Sequence, residues 1–238
     1  MDSLAPPRFA STRWSVVAAA DAGDPRAADA LQELCGAYWR PLYAFLRRRG
    51  HAPHDAEDLV QGFLADLLGR NDFAAADRSR GRFRTFLLAA LKNYASKRRE
   101  HDQAVKRGGA AAKFTLDFAA AERGYGREPA DGRTAEQVFE RQWALATLRR
   151  TLDELETSQR DAGRGPWFDE LKGLLTGGGA APYVEIAGRL GSTPGAVKAA
   201  ASRLRREYRE RLERALADGL EDADAVADER QRLFAALA

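Results

Sequence analysis

The chain has 238 residues, of which 45% are hydrophobic and 31% are charged. This composition supplies enough apolar side chains for a buried core and excludes a chain that is disordered throughout. The formal net charge of +3 only leans toward an anionic partner, because a modest basic excess is common in proteins that never contact nucleic acid. The length accommodates one large unit or two small domains.

Cys35 is the only cysteine, so the chain has neither an intrachain disulfide nor a zinc site built from several thiolates. The first residues lack the basic start and apolar run of a signal peptide. No apolar stretch approaches the length of a membrane span. We therefore expect a cytoplasmic protein that does not associate with membranes.

Nearly every periodic segment has helical spacing and β-branched residues are scarce, so the sequence predicts an all-α fold. The first helical region spans residues 27–49, and Pro41 is expected to kink or divide it. The next helix carries Asp55 and Glu57 in its first turn, where the helix dipole favours negative charge. Gly62, in the middle of this helix, costs about 1 kcal/mol relative to alanine and indicates either simple tolerance or close approach by another group.

A third helix is predicted over residues 81–99, with one apolar stripe and one strongly basic face. Residues 78–107 contain ten Lys or Arg and only two acids, which indicates a surface that binds nucleic acid. The regular spacing of Phe83 and Phe86 favours core packing. Tyr94 is the aromatic residue here that we expect to be available to stack on an unpaired base.

Residues 108–133 change to glycine, alanine and isolated charges, which predicts an interdomain linker. A second helical region begins at Thr134, whose hydroxyl is expected to form a capping box with Gln137. A short helix follows around residues 167–175. Three glycines starting at Gly177 end it, and because no Gly-Lys-Ser/Thr follows them, a phosphate-binding nucleotide loop is not expected.

The most informative segment is residues 183–212, which reads YVEIAGRL, a turn at Gly191, and then PGAVKAAASRLRREYRERL. This pattern predicts a helix-turn-helix whose second helix begins at Pro194. Its predicted buried stripe consists of Val197, Ala201, Leu204, Tyr208 and Leu212. Its other faces carry Lys198, Ser202, Arg203, Arg205, Arg206 and Arg209. Such a helix meets base edges near its start and phosphates further along, whereas the alternative is a helical hairpin with a solvated Arg/Glu face.

Three strings follow one another along the chain: DAEDLVQGFLADLL at 55–68, RFRTFLLAALKNYASKRR at 82–99, and EIAGRLGSTPGAVKAAASRLRREY at 185–208. Together they resemble the second and fourth regions of extracytoplasmic-function sigma factors. The resemblance covers residues 27–107 and 139–212. The DAEDLVQ string and the paired arrangement are specific, while a helix-turn-helix alone is shared by many regulators.

The resemblance implies an all-α fold of two helical domains joined by a flexible linker. A bundle like sigma region 2 would occupy residues 1–107, and a helix-turn-helix domain like sigma region 4 would occupy residues 134–212, with residues 108–133 between them. The sequence departs from the family pattern at Gly62 and Ser96, where acidic residues are frequent.

By this resemblance the chain is a transcription initiation factor and not an enzyme, and it needs no cofactor. The residues implied to contact core RNA polymerase are Asp55, Asp58, Leu59 and Gln61. Those implied to meet the downstream promoter element are Asn93, Lys97, Arg98 and Arg99. Those implied to read the upstream element are Lys198, Ser202, Arg203 and Arg206. An inhibitory anti-sigma protein is a further candidate partner, and the free chain is expected to be monomeric.

The C-terminal extension, residues 213–238, is unusual because it has six acids and no base between Ala217 and Glu229. Beyond them lie the apolar residues Leu233, Phe234 and Leu237. The default prediction is a solvated helix. The alternative is a fold-back onto a basic surface that inhibits DNA binding, in which case deletion of the residues after Leu212 would raise DNA affinity.

The main rival function is a conventional helix-turn-helix regulator that binds operator DNA as a symmetric dimer. That function leaves the DAEDLVQ helix and the second basic helix unexplained. An adaptor or inhibitor protein would not need arginines on a helix that fits a groove. His51 and His54 stand beside Asp55, but turn and capping roles explain these residues better than a metal site does.

Overall fold

The computed structural model describes residues 25–70, 83–104, 116–126, 132–177, 181–217 and 223–238. Across these ranges the secondary structure is helical and contains no strand, which confirms the all-α prediction. No helix in these ranges combines the length and the apolar character that a membrane crossing requires.

The chain divides into two compact units. The first contains Met1–Ala144, Asp218–Glu221 and Gln231–Ala238, and the second contains Leu145–Ala217 and Asp222–Arg230. The predicted border at residue 134 therefore differs from the border between the units, which lies inside one long helix.

The first unit is built on three helices, α1 (Pro25–Arg48), α2 (Pro53–Arg70) and α3 (Phe83–Ala104). Helices α1 and α2 pack together, and α2 also contacts α3. The side chains with almost no exposed surface are Leu42, Tyr43, Phe45, Leu46, Val60, Leu64, Leu87 and Leu91. They recur at helical spacing, so the apolar stripes predicted from the sequence meet in one core.

Helix α1 is not divided at Pro41, which lies inside it and is buried. A proline in a helix interior removes one backbone hydrogen bond and costs about 3 kcal/mol. The residues around it are buried core side chains, and their packing offsets that cost. Of the two predicted effects of Pro41, a kink or a division, division is therefore wrong.

Part of the predicted linker is a helix, α4 (Phe118–Tyr125), that contacts α1. The ring of Phe118 lies 5.0 Å from that of Trp39 and 5.5 Å from that of Tyr43, between centroids. The Asp117 side chain caps the helix by accepting a hydrogen bond from the Ala120 amide at 2.8 Å. The prediction of a flexible linker over 108–133 is therefore wrong for residues 116–126, while 108–115 and 127–131 lie outside the described residues.

Glu122 fastens α4 to α1. It accepts hydrogen bonds from the Tyr43 hydroxyl at 2.5 Å and from Arg47 through two nitrogens at 2.8 and 2.9 Å. The hydrogen bonds from Arg47 are the main reason that the pKa of Glu122 lies below its ordinary value. Burial, followed by the contact with Glu122, raises the pKa of Tyr43, so the tyrosine stays a neutral donor.

A long helix, α5 (Ala135–Asp161), begins in the first unit and continues into the second. The predicted capping box at its start is confirmed. The Thr134 amide donates to the Gln137 side chain at 2.7 Å, and the Gln137 amide donates to the Thr134 hydroxyl at 3.2 Å.

Besides the rest of α5 and the first part of the C-terminal helix, the second unit contains four helices: α6 (Gly165–Leu171), α7 (Gly173–Thr176), α8 (Tyr183–Arg189) and α9 (Pro194–Ala217). Its core consists of Leu155, Phe168, Leu171, Ile186, Ala187, Val197, Ala201 and Leu204. The helix predicted around 167–175 is thus two short helices, and Phe168 and Leu171 of the first belong to the core.

Helices α8 and α9 form the predicted helix-turn-helix pair and contact each other. Gly191 lies between them with φ of +60°, a left-handed conformation that glycine adopts without strain. The Thr193 hydroxyl caps α9 by accepting from the Ala196 amide at 3.3 Å. The predicted stripe is buried, with Tyr208 half-buried, and α9 continues past the predicted domain end at Leu212 to Ala217.

The C-terminal extension contains a helix, α10 (Ala223–Ala235), in which Leu233 is fully buried. Glu229 is also buried, while the other described side chains of α10 are exposed or half-buried, so the helix is solvated except where these two residues pack. Arg230 donates to Glu213 of α9 at 3.0 Å, so this ion pair lies within the extension itself.

The Glu122 contacts make the stability of the first unit dependent on pH. Because the folded-state pKa of this carboxyl is lowered, its stabilisation is present above the unfolded value of 4.5 and is lost as pH falls through the folded value. Glu122→Gln should lower the free energy of unfolding by about 1–3 kcal/mol at neutral pH, the range for hydrogen bonds to charged groups.

Urea denaturation of both proteins at about pH 7 and about pH 3 measures this difference, which should shrink at the acidic pH. Asp153→Asn, at an exposed carboxylate of α5, serves as the control and should show little effect at either pH. A Glu122→Gln difference of equal size at both pH values would contradict the predicted role of the charge.

Candidate nucleic-acid interface

An open cleft of about 380 Å³ lies in the first unit, between the start of α2 and the second half of α3. Its lining consists of His51, Asp55, Asp58, Leu59, Tyr94, Ala95, Arg98 and Arg99. Three of these residues are predicted to bind polymerase and two are predicted to bind DNA. The structure therefore brings residues from both predicted sets together along one cleft.

The other predicted residues of this unit do not line the cleft. Gln61 is half-buried and donates to Glu57 one turn earlier at 3.3 Å, so its amide is engaged within α2. Asn93 and Lys97 are exposed on α3. They extend the polar surface of α3 beyond the cleft.

The two sides of the cleft carry opposite charges. Asp55 and Asp58 lie on the α2 side, and Arg98 and Arg99 lie on the α3 side. Burial, followed by the charge of Arg99, lowers the pKa of His51, which makes it a neutral imidazole at pH 7. The α2 side is therefore suited to a basic partner, and the α3 side is suited to an anionic one.

The histidines do not assemble a metal site with these acids. His54 pairs with Asp58 at 3.3 Å, and both side chains are largely exposed, so the pair contributes little stability. Within the ranges that the structure describes, no group of three or more His, Cys, Asp or Glu side chains is placed to hold a metal ion.

The side chain of Tyr94 on α3 closely approaches Gly62 on α2. The Tyr94 hydroxyl lies so close to Gly62 that a Cβ atom on residue 62 would clash with it. The tyrosine ring also packs against Phe63, with 5.8 Å between centroids and 59° between planes. Of the two explanations left open for Gly62, close approach by another group is therefore confirmed.

Two basic residues of α3, Arg84 and Lys92, are paired with acids of α5. Arg84 donates to Glu140 at 2.8 Å, and its guanidinium lies 4.0 Å from the ring centroid of Trp143. Lys92 donates to Glu136 at 2.7 Å, which is the main cause of the lowered pKa of that carboxyl. These partners lie 56 and 44 residues away along the chain, so no local sequence pattern predicts the two contacts.

The other basic side chains described on α3 are those of Lys97, Arg98 and Arg99, and all three are exposed. The predicted basic residues at 78–82 and at 106–107 lie outside the described residues. The candidate anion-binding surface of this unit is accordingly the last turns of α3 beside the cleft.

The second unit presents the predicted face of α9 to solvent. Its four predicted DNA-binding residues, Lys198, Ser202, Arg203 and Arg206, are all exposed. Arg206 lies 3.7 Å from Glu210, but the two side chains are 67% and 58% exposed, so this ion pair is weak. An anionic partner can therefore compete for these side chains.

Contacts on the opposite side of α9 hold it against α5. The buried Gln159 donates to Glu207 at 2.7 Å and accepts from Arg164 at 2.8 Å. The Tyr208 hydroxyl donates to the Leu148 carbonyl at 3.2 Å, and burial raises the pKa of this tyrosine. The helix that carries this exposed face is thus held in place by its contacts with α5.

Comparison of the chain with protein-family models, with curated proteins and with solved structures finds no match. What the interface does is therefore inferred from its own residues.

Arg84 and Arg99 should respond differently to substitution. Arg84→Met removes a side chain that is only 5% exposed, together with its hydrogen bond to Glu140 and its stacking on Trp143. It should lower the free energy of unfolding by about 2–4 kcal/mol, as expected for a desolvated cation–π contact combined with a charged hydrogen bond.

Arg99→Ala is the matched control, since it removes an exposed arginine of the same helix. It should change the free energy of unfolding by less than about 0.5 kcal/mol. Chemical denaturation measures both variants. Equal losses of stability would show that the division of α3 into a packing part and a surface part is wrong.

Proposed function

We propose that this chain is a transcription initiation factor of the extracytoplasmic-function sigma type. It binds core RNA polymerase, reads an upstream promoter element with α8 and α9, and helps to melt the downstream element with the end of α3. The observation that carries the proposal is the cleft where Asp55, Asp58 and Leu59 face Arg98 and Arg99. This cleft is a charged surface in addition to the exposed face of α9. A protein that binds only duplex DNA would not need it.

The upstream element is read by the exposed face of α9. Lys198, Ser202 and Arg203 lie in its first half, where a recognition helix meets base edges in the major groove. Arg206 lies a turn later and is suited to a phosphate. The exposed Gly195, Ala196 and Ala199 are small, so the start of the helix can approach the groove floor closely.

The downstream element is held by the end of α3. Arg98 and Arg99, extended by Lys97 and Asn93, attract the phosphates of a separated strand, and Tyr94 at the cleft edge is the aromatic residue nearest to them along the helix. The acids on α2 repel the same phosphates, which leaves that side of the cleft to the polymerase.

A conventional dimeric regulator is the alternative function, and it would use only the second unit for DNA. Dimers of this kind need an apolar interface on each protomer. Among the described residues, the large hydrophobic side chains that are exposed are Val184 and Phe234, one in each unit. Single exposed apolar side chains are common on monomers, which supports a free monomer.

The proposed partners are core RNA polymerase, promoter DNA and an inhibitory anti-sigma protein, and the proposed location is the cytoplasm, where the first two meet. The chain acts by binding, without a covalent step or a cofactor. Self-inhibition by the C-terminal extension gains no support, because the four predicted DNA-binding residues of α9 are exposed in the presence of α10.

Transcription by core RNA polymerase from the same organism, with genomic fragments as template, tests the proposal. Adding the chain should produce new start sites defined by sequence. Asp58→Ala should abolish them by weakening polymerase binding, and Arg203→Ala should abolish them by weakening promoter recognition at a cost of about 1–3 kcal/mol. Polymerase affinity, measured separately, should fall only for Asp58→Ala.

Matched controls are Asp153→Ala, at an exposed acid of α5, and Arg214→Ala, at an exposed arginine in the last turn of α9. Both should leave the start sites intact. No new start sites and no polymerase binding, together with a footprint of the chain alone over a palindrome, would establish the conventional regulator instead.

A further inference from the structure

The contact between Gly62 and Tyr94 joins the two sides of the cleft. A Cβ atom at residue 62 would clash with the Tyr94 hydroxyl, and the ring atoms Cζ and Cε1 would lie 3.5 and 3.9 Å from it. The hydroxyl therefore uses space that exists only because residue 62 is glycine. Every other amino acid at this position would displace the end of the tyrosine.

This contact lies one helical turn from both predicted binding sets. On α2, Asp58 precedes Gly62 by four residues, and on α3, Arg98 follows Tyr94 by four residues. Residues four apart share a helix face. Asp58, Tyr94 and Arg98 accordingly line the same cleft.

We propose that Tyr94 is a positioning residue: the end of its side chain packs closely against Gly62, and this packing holds the end of α3 so that Arg98 and Arg99 are oriented to bind an unpaired promoter strand. This inference rests on the proposed function. It adds to that function a coupling between α2, which is proposed to bind polymerase, and α3, which is proposed to bind the unpaired strand. This role of Tyr94 acts through the arginines and is separate from any stacking of its ring on a base.

A substitution at Gly62 should move Tyr94 and leave the core intact. On α2 the neighbours Val60, Phe63 and Leu64 are buried, so the backbone of this helix is held firmly. Tyr94 is half-buried and borders the cleft, so it has room to shift outward. Alanine is also the better helix former, which offsets part of the cost of the displaced side chain.

Removing the hydroxyl should reverse the effect of the added methyl group. With phenylalanine at residue 94, the nearest ring atom to a Cβ at residue 62 is Cζ at 3.5 Å, an ordinary van der Waals distance. Tyr94→Phe keeps the aromatic ring, so it also preserves any stacking on a base.

The experiment compares the wild type, Gly62→Ala, Tyr94→Phe and the double variant in holoenzyme reconstituted with the full chain. Permanganate reactivity of unpaired thymines measures opening of a promoter mapped by the transcription assay, and a separate titration measures polymerase affinity. Gly62→Ala should reduce opening about tenfold, the cost of a typical steric clash, and the double variant should recover it. Polymerase affinity should stay within about twofold throughout.

Gly36→Ala is the matched control, because Gly36 is a glycine inside α1 with open space around the added Cβ. It should leave promoter opening unchanged. Undiminished opening by Gly62→Ala, failure of the double variant to recover, or an equal loss of polymerase affinity and opening would each overturn the positioning role. If the wild type opens no promoter, the proposed function itself fails and the positioning role falls with it.

Discussion

Neutralisation of α3 by α5 determines what the first unit can present to a partner. A helix with this density of arginine and lysine cannot pack closely against a core unless some of the charges meet acids, because burying an unpaired cation is costly. Glu140 and Glu136 meet Arg84 and Lys92, and the ring of Trp143 covers the first of these cations. One part of the helix thereby becomes structural, and the remaining charge is concentrated at its end.

In the second unit, the basic helix α9 packs against its core in a different way. Helix α9 keeps its cations on one side and buries an apolar stripe on the other, so no acid is needed to allow packing. Its polar contacts to α5, through Gln159 and Tyr208, lie behind the exposed face. Among the described residues, each unit thus presents a basic surface supported by well-packed neighbours, as recognition of a specific geometry requires.

Local features of the fold were predictable from the sequence, and features that depend on distant partners were not. The capping box at Thr134, the turn at Gly191 and the stripe on α9 follow from residues within a few positions of one another. The packing of α4 and the neutralisation of Arg84 depend on residues far along the chain, for which periodicity gives no signal. Gly62 was recognisable as unusual, but only the fold could identify Tyr94 as its neighbour.

Because α4 is packed against α1, the chain between α3 and α5 does not serve as a linker between the two units. Helix α4 and the start of α5 belong to the same unit as α3, so the connecting segments on either side of α4 begin and end within one body. An epitope or a fluorescent label inserted beside α4 would therefore lengthen a connection inside the first unit. It would not lengthen the chain that joins the two units, because their border lies inside α5.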